Sequence, residues 1–408
     1  MAKELTISLL GHKDHGKSTL IGKMLIETGS ISPDRINEAR QICKGMGKEF
    51  EPGFLLDSFV EEREGGFTLD TTRVQIRSGD YIFNLIDVPG HKELVKNMLS
   101  GASGADCAIL IVSAKEDEGL QKETLLHIRL AKMLGLEKII VTINKMDLSG
   151  YDKAVFGKVE ADVRKVLAGF GFDLGKIQFV PISAIKGDNM TEKSGEMGWH
   201  DGKPLLELMK GLYFDRRELL LALAGRMIVQ DFVNEGGQGI VIGKVEAGSF
   251  HKGQEIISMP GRKKGRITRI MGARGETERA EAGQGIGMVC GISPMRGEVC
   301  MPAESAAEPV EKIDAEIFCF PSATMGEGKE MTLTCASQES KAKIIAIRSV
   351  FDPIDGGAGK DSVGPAQFAR VSIELEKEMV LEPHSRMPVL GRFVLSDGKG
   401  AIGIGVVE

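Results

Sequence analysis

Near the start of the chain, Gly11-His12-Lys13-Asp14-His15-Gly16-Lys17-Ser18-Thr19 carries the spacing G-x-x-x-x-G-K-[ST]. That spacing suits phosphate chemistry. Its glycines let backbone N–H groups curl around oxyanions, and a helix opening just after the second glycine points its positive end at them. Lys17 is placed to reach the β- and γ-phosphates, and Ser18 to ligate Mg²⁺. Three more segments suit the same ligand. Asp87-Val88-Pro89-Gly90 offers a carboxylate for Mg²⁺ and, at Gly90, an amide that can sense the γ-phosphate. Asn144-Lys145-Met146-Asp147 offers a carboxylate that can accept from guanine N1–H and the 2-amino group, a donor pair adenine lacks. Ser183-Ala184-Ile185-Lys186 can offer backbone N–H groups to guanine O6. Each segment is common alone. Four in this order point to GTP or GDP with Mg²⁺.

Two more residues fit a hydrolytic switch. Thr68 can complete the Mg²⁺ shell only while the γ-phosphate is present, so hydrolysis would release its loop. His91 follows Gly90 directly, where an imidazole can orient the attacking water. The remaining histidines read as structural or exposed.

The elements that must hold these residues alternate in a recognisable way. Strands are expected at Leu5–Leu10, Tyr81–Ile86, Cys107–Val112, Lys138–Ile143 and Ile177–Ile182, with helices from Lys17, over Gln121–Leu134 and over Ala161–Leu167. Buried strands alternating with helices imply a parallel-rich sheet covered on both faces, with ligands at the carboxyl ends of its strands. From about residue 217 the segments become short, β-branched and glycine-bounded, as in Gly239–Gly243 and Gly285–Val289. That pattern reads as β-barrels. A seam at Pro302–Ala307 divides them. The expected plan is an α/β domain over 1–216 and β-barrel domains over 217–304 and 305–408.

Composition narrows the class. The 408 residues carry 52 Lys+Arg against 58 Asp+Glu, a formal charge of −6, which excludes coating nucleic acid by bulk positive charge. Six scattered cysteines without C-x-x-C pairs or zinc spacing exclude a disulfide scaffold and fit a reducing interior. The first residues carry an acid too early for a secretion signal, and no apolar run reaches the ~20 residues of a membrane span. A cytoplasmic, membrane-free protein is expected.

The motifs together resemble translational GTPases, closest to the elongation factor 1-alpha family. The matching stretches are residues 11 to 19, Glu-Glu-Arg-Glu at 61 to 64, and Asp-Val-Pro-Gly-His at 87 to 91. They continue with Val95–Met98, Gly101–Ser103, Asn-Lys-Met-Asp at 144 to 147 and Gly187-Asp188-Asn189. Gly198-Trp199-His200-Asp201-Gly202 and Pro204–Glu207 resemble the archaeal and eukaryotic branch, and Gly391-Arg392-Phe393 resembles the third domain. The resemblance implies GTP-dependent delivery of aminoacyl-tRNA, or of a tRNA-mimicking protein, to the ribosome by a monomer. A nucleotide-exchange factor is a further partner it suggests. Hydrolysis to GDP would be slow without the ribosome. Asp14 would lie near the β,γ-phosphate bridge. The GTPase of termination or ribosome rescue and the GTPase subunit of a sulfate adenylyltransferase share the plan and stay open as alternatives. So does a nucleotide-binding module without turnover.

Three positions depart from the family pattern. Lys13 replaces a small apolar residue that, with Phe67 opposite, gates the histidine; Gly65 replaces an arginine. Leu333–Glu339 lacks a histidine-containing segment used near the tRNA acceptor arm, and is closer to the termination and rescue paralogues. Separately, Arg262, Lys263, Lys264, Arg266, Arg269 and Arg274 form an acid-free basic stretch, a candidate phosphate-contacting face or a merely solvated hairpin.

Overall fold

The apolar run after Lys3 becomes β1 (Lys3–Leu10), whose inner residues Ile7, Leu9 and Leu10 are fully buried. In the computed structural model, which describes residues 2–56, 72–87, 105–118, 120–353 and 362–408, the chain forms two compact units, Met1–Phe214 and Asp215–Glu408.

In the first unit β1 lies inside a six-stranded sheet with β2 (Thr72–Ser78), β3 (Tyr81–Asp87), β4 (Cys107–Ser113), β5 (Ile139–Asn144) and β6 (Gln178–Pro181). The order is β2-β3-β1-β4-β5-β6. All neighbours are parallel except the edge pair β2–β3, a hairpin turned at Gly79-Asp80. The antiparallel edge strand is absent from the five strands expected. Every residue of β4 and β5 is buried, as strands covered on both faces require. On one face Leu5, Ile7 and Leu9 pack with Leu20, Ile21, Met24 and Leu25 of α1 (Lys17–Glu27). Further helices are α2 (Pro33–Gly45), α3 (Lys122–Met133), α4 (Lys153–Gly169) and α5 (Leu205–Gly211). Chain order runs outward from β1 first toward β3 and then toward β4. That reversal opens a crevice at the carboxyl ends of the central strands, where open α/β sheets take ligands.

The second unit is built from antiparallel strands. An eight-stranded ladder begins at Lys263–Arg266 and ends beyond Arg269–Gly272, two pieces of one stretch of chain. Between them Ile267 N–H donates to Gln254 O at 2.9 Å while Thr268 N–H donates to Val289 O at 2.8 Å. The two edges of the ladder therefore meet, and closure removes exposed edges. Met227, Val229, Val241, Ile256, Ile270 and Met288 fill its interior. Residues 310–407 supply a second, six-stranded closed barrel, sealed where Val310–Cys319 pairs with Gly400–Val407. Ile317, Leu333, Ile344, Ile373 and Leu395 fill that one.

All six cysteines are free and buried. No helix among the described residues is long and apolar enough to cross a membrane, which says nothing of strands.

Candidate nucleotide-binding site

Four of the sequence segments converge at the carboxyl edge of the first unit's sheet. Between β1 and α1 the chain makes a short 3₁₀ turn over Lys13–His15, bounded by Gly11 at φ +135° and Gly16 at φ +87°. Both glycines are required by space as well as conformation. A Cβ at Gly11 would lie 2.3 Å from Ile111 O, and one at Gly16 would lie 2.5 Å from Asn144 Nδ2. Gly11 N–H donates to Nδ1 of His127 on α3 at 3.0 Å, so that nitrogen carries no proton. Lys17 is 5% exposed and donates to Gly11 O at 2.9 Å and His12 O at 3.0 Å, so its ammonium lies across the mouth of the turn. Burial pushes its pKa down, while Asp87 and Asp14 pull it back up. Ser18 and Thr19 are half-buried in the first turn of α1, and Lys13 and Asp14 are exposed.

The histidines of the turn point to different tasks. The fully buried His15 ring lies between Ile111 O at 3.1 Å and Glu118 O at 3.4 Å, and burial lowers its pKa. It anchors the turn to the sheet. His12 accepts from Asp14 N–H at 3.3 Å and sits 3.7 Å from the Asp14 and Glu123 carboxylates. Asp87 ends β3 opposite Leu9, close enough to Lys17 for their charges to interact.

The base-recognition segments are joined to the phosphate turn by one side chain. Asn144, 2% exposed, donates through Nδ2 to His15 O at 2.8 Å and accepts at Oδ1 from Ala184 N–H at 2.9 Å. Both ends of its amide thus bond to backbone, on opposite sides of the crevice. Asp147 Oδ1 accepts from Ser183 Oγ at 2.6 Å, and the other carboxylate oxygen has no donor among the described residues. Ser183 Oγ also accepts from Lys186 N–H at 3.3 Å, and Ile185 beside it is 39% exposed. Lys145 adopts a left-handed φ of +64° and reaches Glu118 at 2.6 Å.

Sequence spacing gave no hint of His127 or Glu118, because their partners stand 116 and 27 residues away and only the sheet brings them together. Thr68, Gly90 and His91, with Gly65 and Phe67, lie outside the described residues. The basic stretch of the second unit is largely matched by acids. Arg262 pairs with Glu378, Lys263 with Glu298, Arg266 with Glu255 and Arg269 with Glu276. Four of its six cations therefore offer less free charge to a phosphate backbone than the bare sequence suggests.

A glycine-bounded turn between a strand and a helix, with a buried lysine across it and an Asn-Lys-x-Asp segment alongside, defines a P-loop protein that binds guanine nucleotide. The comparisons agree. The family described as "Elongation factor Tu GTP binding domain" matches residues 2–226, "Elongation factor Tu domain 2" matches 238–299, and "GTP-eEF1A C-terminal domain-like" matches 312–408. Elongation factor 1-alpha of Sulfolobus acidocaldarius is 36% identical over 99% of this chain and 96% of its own. That of Aeropyrum pernix is also 36% identical, over the same shares. That of Thermoplasma acidophilum is 36% identical over 96% of this chain and 95% of its own. A solved structure of sup35 complexed with GDP aligns over 100% of this chain and 94% of that one. Its identity is 20% and its TM-score 0.43, too loose a likeness to argue from. The chain belongs to the elongation factor 1-alpha family, and it is a GTPase.

Proposed function

We propose that this GTPase carries aminoacyl-tRNA to the ribosome and releases it once GTP has been hydrolysed to GDP. The observation that carries this reading is the breadth of the match: relatives named elongation factor 1-alpha align across both barrels as well as the nucleotide domain.

The residues of the turn fit a bound nucleotide. Gly11 and Gly16 let the turn pack tightly against Ile111 and Asn144, and Lys17 holds its charge at the opening. There it would neutralise phosphate oxygens, with N–H groups of the turn and of the first turn of α1 supplying further donors. The free oxygen of Asp147 and the backbone beside Ile185 stand ready for the guanine edge. Ser18 and Asp87, with Thr68 assigned from sequence, would hold Mg²⁺, which would neutralise charge on the phosphates when bound. His91, also assigned from sequence, would orient the water that attacks the γ-phosphorus. The expected setting is the cytoplasm, with the ribosome and an exchange factor as partners.

The test is capture of the protein loaded with a non-hydrolysable GTP analogue from cell extract, followed by RNA sequencing and protein identification. Bulk tRNA is the expected cargo. A release-factor-like protein, or a sulfurylase subunit, in place of tRNA would overturn the proposal.

A further inference from the structure

Glu118 lies in the turn between β4 and α3, away from every motif that signals nucleotide binding, yet it is tied to three of the site's parts. Its carboxylate accepts from Lys145 Nζ at 2.6 Å and Lys115 Nζ at 3.1 Å, and Ser113 at the end of β4 donates to it as well. Its backbone carbonyl accepts from Gln121 Nε2 at 2.6 Å and faces the His15 ring at 3.4 Å. His15 O in turn accepts from Asn144 Nδ2 at 2.8 Å, and Asn144 is covalently followed by Lys145. The contacts close into a ring: phosphate turn, Glu118, Lys145, Asn144, and back to the phosphate turn.

We propose that Glu118 is a positioning residue for guanine nucleotide, holding the Lys145 side chain across the crevice so that base and phosphate subsites stay in one fixed geometry. This rests on the nucleotide reading of the site. The physical case has three parts. Lys145 keeps its backbone in the left-handed region, at a cost in energy for a non-glycine residue, and its ammonium is anchored separately by Glu118. The pair is charge-assisted and short, the strong kind of hydrogen bond. Both partners are about one-fifth exposed, so water competes less than at an open surface pair. Burial by itself would raise the Glu118 pKa, yet hydrogen bonds from Lys145, Ser113 and Lys115 bring it to about 2, so the carboxylate stays charged throughout the neutral range.

The experiment uses the full chain and a fluorescent GDP, and compares release rates for wild type, Glu118→Gln, Lys145→Met and the double variant. Release from Glu118→Gln should be faster by about tenfold, the scale of one lost charge-assisted contact. The double variant should release no faster than the quicker single one, since both substitutions remove the same contact. Lys115→Met, which removes only the more exposed partner, should leave release unchanged. Glu118→Asp, which keeps the charge on a shorter arm, should recover part of the effect. The unfolding midpoint of the nucleotide-free protein should fall equally in Glu118→Gln and Glu118→Ala, whereas the change in release rate should track the loss of the Lys145 contact. Unchanged release from Glu118→Gln, or fully additive rates in the double variant, would overturn the role of Glu118. Wild-type protein that fails to bind the fluorescent GDP would instead overturn the nucleotide reading beneath it.

Discussion

Gly11 is the residue where backbone geometry and function are hardest to separate. Its φ of +135° is a conformation L side chains rarely adopt, and an added Cβ would strike the Ile111 carbonyl at 2.3 Å. That obstacle is sheet backbone and cannot swing aside. Gly11→Ala should therefore abolish GDP binding and destabilise the protein by about 2 kcal/mol or more, read from nucleotide titration and denaturant melts. Asp147 tests the base. Because one carboxylate oxygen is held by Ser183 and the other faces no protein donor among the described residues, Asp147→Asn should weaken GDP by at least about tenfold. It should also admit xanthosine diphosphate, whose 2-oxo group can accept where guanine's amino group donates. Retained guanine preference in competition binding would remove Asp147 from the base site. His91→Ala, an expectation from sequence, should leave GTP affinity intact and lower ribosome-stimulated hydrolysis by about 10²-fold, the lower end of general acid–base catalysis. An undiminished single-turnover rate would remove His91 from the mechanism.

Among the elements, the central strands and the turns that follow them were the most legible. β1, β3, β4, β5 and β6 each fall within a residue or two of their apolar runs, because the buried positions at their centres are largely apolar. β2 was not legible: Thr72–Ser78 includes Arg73, Gln75 and Arg77, and reads as a strand only once β3 is there to pair with it. Nor was α2, in which only Ala39 and Cys43 are buried and the apolar pattern is correspondingly faint. The return segment 382–392 shows how packing sets properties that no motif announces. Gly391 approaches the His384 backbone so closely that a Cβ would lie 2.3 Å from His384 Cα, and His384 N–H donates to Val407 O at 3.0 Å. Burial, with Arg392 as a like-charged neighbour, pushes the His384 pKa down from 6.5 to about 4. Below pH 6.5 the unfolded chain takes up a proton that the folded chain refuses. Stability tied to this residue is thus complete above pH 6.5 and declines as pH falls toward 4, by about 3 kcal/mol at most. His15 and His200 shift in the same direction and add to the slope, so the measurement is a difference. His384→Gln should flatten the fall in denaturant midpoint between pH 6.5 and 4 relative to wild type. Parallel curves would show that His384 titrates normally.

At the scale of the whole molecule, the second unit depends on a contact between residues 156 apart, which no local pattern could have announced. Arg226 begins the first barrel and is 2% exposed; Glu382 follows a long strand of the second and is 6% exposed. They meet through Nε to Oε1 at 2.7 Å and Nη2 to Oε2 at 3.3 Å, and Nη1 donates to Gly225 O at 2.9 Å. Around them Ile228, Met259, Val299 and Met301 of the first barrel pack with Val380, Met387 and Leu390 of the second. Gly297, at φ +90°, approaches so closely that a Cβ there would lie 2.6 Å from Ser337 O. One strand ends at Pro302 and the next begins at Val310, while this apolar and ionic joint keeps the two barrels in a single unit. Removing one partner of a buried pair leaves the other charge without compensation, so Glu382→Ala should cost about 3 to 5 kcal/mol. Replacing both, as in Arg226→Met with Glu382→Leu, should recover most of that, because a well-packed apolar pair has no charge to desolvate. Arg262→Ala is the control: it breaks an exposed ion pair, with Glu378, and should move the denaturation midpoint little. If Glu382→Ala were no more damaging than Arg262→Ala, the joint would rest on its apolar contacts alone. A double variant no more stable than Glu382→Ala would point the other way, to an ion pair that the packing cannot replace.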